Sequence, residues 1–280
     1  MATIHSRYIN VDGVKTHFLE GGDGPTVVLL HSGEFGGCAE LSWEFNLEAL
    51  ARNFRIVAPD WLGFGRTDKV FDFAGGRNRV MNHMVRFLEI MAIDKADFIG
   101  NSMGGSNLAR VIATQPVIFP VRSAVLCSGG GFAPDNPSRR TLLNYDCTPD
   151  AMKALLNAMF HTTKWADDPA YVEKRQKFAL IPGAWECAAA ARFKSPAVAA
   201  RAEFGAPDTN PYEAITVPTL IIAGANDKLR EPGYAVALGK RIPGCETHVI
   251  DNCGHCPNIE YPDRFNELTI RFLKKVNAMR

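Results

Sequence analysis

Apolar and polar positions along the chain fall into short apolar runs separated by longer stretches of helical period. Tyr8–Gly22 (YINVDGVKTHFLEGG) holds two alternating runs around Asp12-Gly13, the pattern of a β-hairpin. Thr26–His31 (TVVLLH), Phe54–Asp60 (FRIVAPD) and Ala96–Ser102 (ADFIGNS) are nearly continuous apolar runs, as in strands buried on both faces. Ser123–Ser128 (SAVLCS), Pro218–Gly224 (PTLIIAG) and Glu246–Asn252 (ETHVIDN) repeat that pattern. Between the runs, Asn78–Met91, Met103–Gln115, Pro232–Arg241 and Pro262–Val276 read as helices. Strand and helix in alternation predict an α/β chain, with a mostly parallel eight-stranded sheet and helices on both faces.

The rhythm breaks between about Gly129 and Pro211, where only helix signals occur. Pro149 opens TPDAMKALLNAMF, and Met152, Leu155, Leu156, Met159 and Phe160 fall on one face. DDPAYVEKRQKFAL and SPAVAARAEF open with the same Asp-Pro or Ser-Pro signal. The expected organisation is a core of residues 1–130 and 212–280 with a helical cap inserted as residues 131–211. The apolar stripe of the cap is expected mainly to pack on the core.

Length and charge narrow the picture. A chain of 280 residues suits one α/β domain with an insertion, and its core needs no covalent staples. A net charge of +1 without a basic run gives nucleic-acid binding little support. An acidic ligand stays open, because one buried arginine suffices to bind it. The N-terminal MATIHSRYINVDG has no apolar core of a signal peptide, and the apolar runs are too short to span a bilayer. Seven scattered cysteines do not form a secreted disulfide framework. A cytoplasmic protein acting on a small molecule, with no membrane or nucleic-acid partner, is expected. Monomer and homo-oligomer (dimer or larger) both stay open.

The chemistry gathers at the ends of the apolar runs. Ile99–Gly105 (IGNSMGG) sets Gly-x-Ser-x-Gly between a strand and a helix. That turn lifts the Ser102 hydroxyl to the start of the helix, where the Met103 N–H and the helix dipole face developing negative charge. A serine nucleophile needs a base and an acid to orient it. Asp227 follows the run IIAG and His255 follows the run THVI, which completes the order Ser102, Asp227, His255. All three stand just past strand ends, where open α/β sheets bind ligands. Leu30–Gly37 (LHSGEFGG) fills the place of the second oxyanion donor, assigned to the Gly33 N–H, with Ser32 beside it as a substrate-binding candidate. Cys253-Gly-His-Cys256 also has the spacing of a redox dithiol. One turn and one helix follow it, too little for a thioredoxin-like domain, so the stretch reads as the loop of the base. No His-x-x-x-His pair is present, and no metal or organic cofactor is called for.

With these motifs the sequence resembles the α/β-hydrolase superfamily over nearly its whole length; DWLGFGRTD (Asp60–Asp68) matches a loop that recurs there. Ser102 separates it from the subgroups that use aspartate, the haloalkane dehalogenases and epoxide hydrolases. GNSMGG around Ser102 and NCGHCPNIEYPDRFN around His255 resemble the meta-cleavage product hydrolases. The resemblance implies cleavage of a C–C bond in vinylogous diketo acids formed by aromatic ring opening, with a carboxylesterase as the alternative. It also implies that Asn101 and Arg175 (in EKRQKF) hold the dienolate and carboxylate. For Arg175 a solvated charge among Glu173, Lys174 and Lys177 is an equal alternative. Two features depart from the family pattern: Glu34 and Phe35 interrupt the oxyanion loop, and Cys256 stands where a tryptophan usually follows the histidine. Cys256 is therefore a further substrate-contact candidate. The complete triad argues against a non-catalytic binding protein on this fold.

Overall fold

Asp12 and Gly13 both take positive φ, 51° and 91°, as a two-residue hairpin requires. They join β1 (Ile4–Val11) to β2 (Val14–Gly21). The computed structural model describes residues 2–72, 76–190 and 204–278. After the hairpin come β3 (Thr26–Leu30), the short helices α1 (Ala39–Ser42) and α2 (Leu47–Ala51), and β4 (Arg55–Pro59). Next are α3 (Arg77–Ile90), β5 (Ala96–Asn101), α4 (Met103–Ala113) and β6 (Val121–Cys127). Helices α5 (Pro137–Leu143), α6 (Pro149–Met159), α7 (Pro169–Ala179) and α8 (Ala184–Ala190) precede β7 (Thr219–Gly224). The chain closes with α9 (Tyr234–Arg241), β8 (Glu246–Ile250), α10 (Pro257–Glu260) and α11 (Pro262–Ala278). One sheet holds the eight strands in the order β1-β2-β4-β3-β5-β6-β7-β8. The β1–β2 and β2–β4 pairs are antiparallel, and the other five are parallel.

Successive side chains of a strand point to opposite faces, so a run that is apolar throughout must be covered twice. Val28 and Leu30 of β3, Phe98 of β5 and Ile221 of β7 pack with Phe87 of α3, Leu108 of α4 and Leu238 of α9. Val27, Leu29, Ile99 and Ile222 face the other way, onto Leu50 of α2 and Phe265 and Phe272 of α11. These eight strand residues are fully buried. Each contributes roughly 1.5–3 kcal/mol. The strand ends, and the loops that leave them, are thereby fixed.

Strand order reverses at one place. From β3 the chain moves outward to β4, then crosses to β5 on the other side of β3. Loops at the C-terminal ends of β3 and β5 diverge there and leave a crevice. Gly33 follows β3, and Ser102 follows β5. Further along the same edge, Gly224 at the end of β7 pairs with Ile250 at the end of β8.

Between β6 and β7 the described residues hold helices and no strand, as predicted. The Thr148 hydroxyl accepts the Ala151 N–H (3.1 Å) at the start of α6, and Asp168 accepts the Ala170 and Tyr171 N–H groups at the start of α7. Such caps contribute about 1 kcal/mol each. Met152, Leu155, Leu156, Met159 and Phe160 are all buried and pack with Phe35, Leu229, Cys256 and Ile259 of the core loops. The helix predicted for SPAVAARAEF lies, apart from its last residue, outside the described residues. Helices α1 and α2, of four and five residues, escaped the pattern because they are too short to show a period. No helix among the described residues is long and apolar enough to cross a membrane.

A Cβ on Gly224 would lie 2.0 Å from the Gly254 carbonyl oxygen and 2.3 Å from that of Cys253. Gly224→Ala should therefore push β7 and the loop after β8 apart, at a cost of about 1–3 kcal/mol. A urea unfolding curve reads this as a lowered midpoint, and an unchanged midpoint would show that the loop yields freely.

Candidate active site

β5 ends at Asn101 and α4 begins at Met103, so Ser102 alone makes the turn. Its φ of 51° and ψ of −109° lie where non-glycine residues are strained, by about 1–3 kcal/mol. Flanking glycines permit the turn. A Cβ on Gly100 would meet the Gly104 carbonyl carbon at 2.5 Å, and one on Gly104 would meet the Leu30 oxygen at 2.2 Å. The Ser102 Oγ lies 2.7 Å from His255 Nε2, and His255 Nδ1 lies 2.7 Å from Asp227 Oδ2. His255 and Asp227 are buried. A carboxylate only accepts, so the imidazole donates Nδ1–H to Asp227 and offers Nε2 to the serine hydroxyl. Burial alone would raise the Asp227 carboxyl. The charge and hydrogen bond of His255, the charge of Arg230 and the Leu229 N–H outweigh it and hold the carboxyl below its usual range.

The backbone of His255 is held from several sides. Its N–H donates to the Met159 oxygen at the end of α6 (2.7 Å), and the Gly254 N–H donates to Glu260 Oε1 (2.9 Å). Glu260 Oε2 accepts the His161 N–H (2.8 Å), and Lys228, next to Asp227, donates to the Asn157 and Phe160 oxygens. The loops of the histidine and of the aspartate are thus both stitched to the end of α6.

On the opposite side of Ser102 lies the loop after β3. As the first N–H of α4, that of Met103 has no intrahelical acceptor and sits at the positive end of the helix dipole. A Cβ on Gly33 would lie 2.5 Å from Met103 Sδ, so the Gly33 backbone packs directly on the start of α4. His31 stiffens this loop. Its ring binds the Ser32 oxygen through Nδ1 (2.6 Å) and accepts the Trp61 N–H at Nε2 (2.9 Å). Burial holds the His31 pKa down. Asp60 of the D-x-x-G-x-G loop accepts the Ala39 and Arg66 N–H groups and pairs with His17 at 2.7 Å. Gly65 approaches so closely that a Cβ would lie 2.1 Å from Asp60 Oδ2. That loop is a scaffold beneath the Gly33 loop.

Residues 27–268 match the family model for the alpha/beta hydrolase family, which covers most of the chain. The chain belongs to the alpha/beta hydrolase family. Among curated proteins, the 2-hydroxy-6-oxo-6-(2'-aminophenyl)hexa-2,4-dienoic acid hydrolase of Metapseudomonas resinovorans is 30% identical over 96% of this chain and 91% of its own. A meta-cleavage product hydrolase of Pseudomonas fluorescens IP01, solved as a mutant with acetates, superposes with a TM-score of 0.84. It is 25% identical over 96% of this chain and 97% of its own. A serine hydrolase involved in carbazole degradation superposes with a TM-score of 0.78 at 28% identity, over 97% of this chain and 99% of its own. This hydrolase is accordingly an enzyme of the serine type.

The remaining candidate positions of the hydrolase divide into two groups. Arg175 is not a solvated charge. It is 2% exposed, and its Nη2 donates to Glu34 Oε1 at 2.8 Å. Only its neighbours Glu173 and Lys177 form the exposed pair. Cys256 is buried in the seam with Phe35 and Met159. Asn101 and Ser32 are instead turned toward core partners. The amide nitrogen of Asn101 lies 3.4–3.5 Å from the sulfur and oxygen of Cys127, and its Oδ1 has no partner. The Ser32 hydroxyl lies 2.8 Å from that of Ser42. Cys253 and Cys256 are free and buried, and burial pushes both thiols up, which disfavours thiolate exchange.

Two positioning residues carried no signal in the sequence. Glu260 looks like an ordinary helix-end acid, yet it clamps the His255 loop. Arg230 looks like a surface cation, yet it binds the Ser128, Gly130 and Phe132 oxygens beside Asp227. Burial raises the Glu260 carboxyl above its ordinary value, against the N–H groups of His161, Cys256 and Gly254, which lower it. A group raised on folding stabilises fully below its unfolded value of about 4.3, and that share is lost as pH rises through the folded value. Glu260→Gln cannot ionise and loses an acceptor, so it should be less stable by about 1–3 kcal/mol. Thermal unfolding across the acidic to neutral range should show this deficit narrowing as pH rises. A deficit that widens would reverse the sign.

Proposed function

We propose that this hydrolase cleaves a C–C bond of a vinylogous diketo acid, a meta-cleavage product of aromatic degradation, with Ser102, His255 and Asp227 as its catalytic triad. The unbroken hydrogen-bonded run Ser102–His255–Asp227, set at the strand-end crevice, carries the reading. The relatives' names, which specify hexadienoic acids and meta-cleavage products, support the substrate class. Seven free cysteines suit a reducing cytoplasm. Residues 131–211 act as the cap over the crevice.

The substrate dienol first becomes its keto tautomer, with Arg175 holding the carboxylate end. His255 takes the Ser102 proton as oxygen attacks the ketone carbon. The Gly33 and Met103 N–H groups receive the resulting oxyanion. As the C–C bond breaks, its electron pair stays with the dienoate fragment, which takes the proton from His255. Water, deprotonated by the same imidazole, then cleaves the acyl-Ser102 ester, and a carboxylic acid leaves. A second reading, a carboxylesterase, is favoured by one observation: Arg175 already holds a carboxylate, that of Glu34, whereas a neutral ester needs no second charge there.

A coloured ring-cleavage dienoate and p-nitrophenyl esters separate the two. The dienoate absorbance should bleach at a kcat/KM above that for the esters. Rapid ester turnover with an unchanging dienoate spectrum would hand the function to the esterase reading. Ser102→Ala should lose at least about 10³-fold in kcat on either substrate with its fold intact. Asp227→Asn should lose about 10⁴-fold in kcat, because the imidazole then lacks its orienting acceptor.

A further inference from the structure

Arg175 is one of the largest fully buried side chains in the protein. A guanidinium in that position requires a counter-charge. Glu34 supplies it at 2.8 Å, with the two side chains only 2% and 3% exposed. The Tyr171 ring lies 5.8 Å from the guanidinium carbon and donates its hydroxyl to Glu44 (2.9 Å), whose charge also reaches Arg175. The other terminal nitrogen, Nη1, is buried and has no hydrogen-bond partner. One end of the guanidinium is therefore held, and the other carries an unfilled donor.

The pair borders the reaction centre. Glu34 directly follows Gly33, and its other neighbour, Phe35, packs in one cluster with Cys256, the residue after His255. The charges of Glu34 and Arg175 both act on the Cys256 thiol. Glu34 thus stands between the loop after β3 and the loop of the catalytic histidine.

We propose that Glu34 is a specificity-determining residue: as the internal carboxylate partner of Arg175 it cancels the guanidinium charge and leaves Nη1 as a plain hydrogen-bond donor to substrate. A substrate carboxylate docked on Nη1 shares one positive charge with Glu34, and two buried anions close together repel. A ketone, ester or enol oxygen makes the same hydrogen bond without that repulsion. The inference rests on Arg175 being a substrate-binding cation of the proposed hydrolytic pocket. It adds that acid substrates are gripped there weakly, and that neutral analogues compete with them on nearly equal terms.

Benzoate and benzamide are matched probes that differ in charge. Calorimetric titration of the full-length protein should show benzoate binding no more than about fivefold tighter than benzamide. In Glu34→Gln the benzoate Kd should fall by at least about tenfold while the benzamide Kd changes by less than about twofold. A parent that prefers benzoate by about a hundredfold overturns the proposal. So does a folded Glu34→Gln variant whose benzoate affinity stays the same or drops, or in which both probes gain equally. Should the variant not fold, the parent ratio still decides. Absence of dienoate turnover would count against the proposed reaction but leave these ratios readable, so the two ideas can fail separately.

Discussion

A histidine can take the Ser102 proton only if its ring stays within hydrogen-bond reach of both the serine and the orienting Asp227, and the fold meets this constraint through the backbone. Gly224 of β7 lies so close to the Gly254 carbonyl that no Cβ fits between them. From the cap, the Met159 oxygen takes the His255 N–H, and from α10 the Glu260 carboxylate takes the Gly254 N–H. Sheet, cap and C-terminal helices converge on one dipeptide. The end of α6 is for this reason part of the scaffold that holds His255. A ring held this way loses little freedom when it becomes charged, which is what preorganised catalysis requires.

Much of this was legible in the chain because the information was local. Strands buried on both faces read as continuous apolar runs, and every predicted strand appears within a few residues of its expected bounds. Gly-x-Ser-x-Gly marked the turn because its glycines are demanded by backbone contacts across one turn. The dithiol spacing misled only until the surrounding strand was considered, and burial then removes the chemical basis for exchange. What escaped was long-range. Arg175 and Glu34 are 141 residues apart, and the contact between His161 and Glu260 spans 99. No spacing rule connects such positions, and the composition around EKRQKF suited a solvated helix face equally well. Helices α1 and α2 are short segments held by tertiary packing, not by a period of their own.

Three buried side-chain pairs among the described residues each serve a loop. Asp60 with His17 fixes the scaffold beneath the Gly33 loop. Asp227 with His255 fixes the loop after β8 against the loop after β7. Arg175 with Glu34 joins α7 to the loop after β3. Pairs of this kind add little to net stability, because desolvation offsets attraction, but removing one partner strands the other. Their use is geometric: they set which loops meet around Ser102. Glu34 belongs to this arrangement, and Phe35 beside it packs in the apolar cluster with Cys256.

The central claim, that Ser102 is the nucleophile activated by His255, is tested most directly by covalent capture. A fluorophosphonate loses fluoride to an activated serine and leaves its phosphonyl group on the oxygen. Incubation with the native protein, followed by peptide mass mapping, should find one phosphonyl group, on the peptide containing Ser102. Labelling should be slowed strongly in His255→Ala. A label on another residue, or equal labelling of Ser102→Ala, would contradict the account.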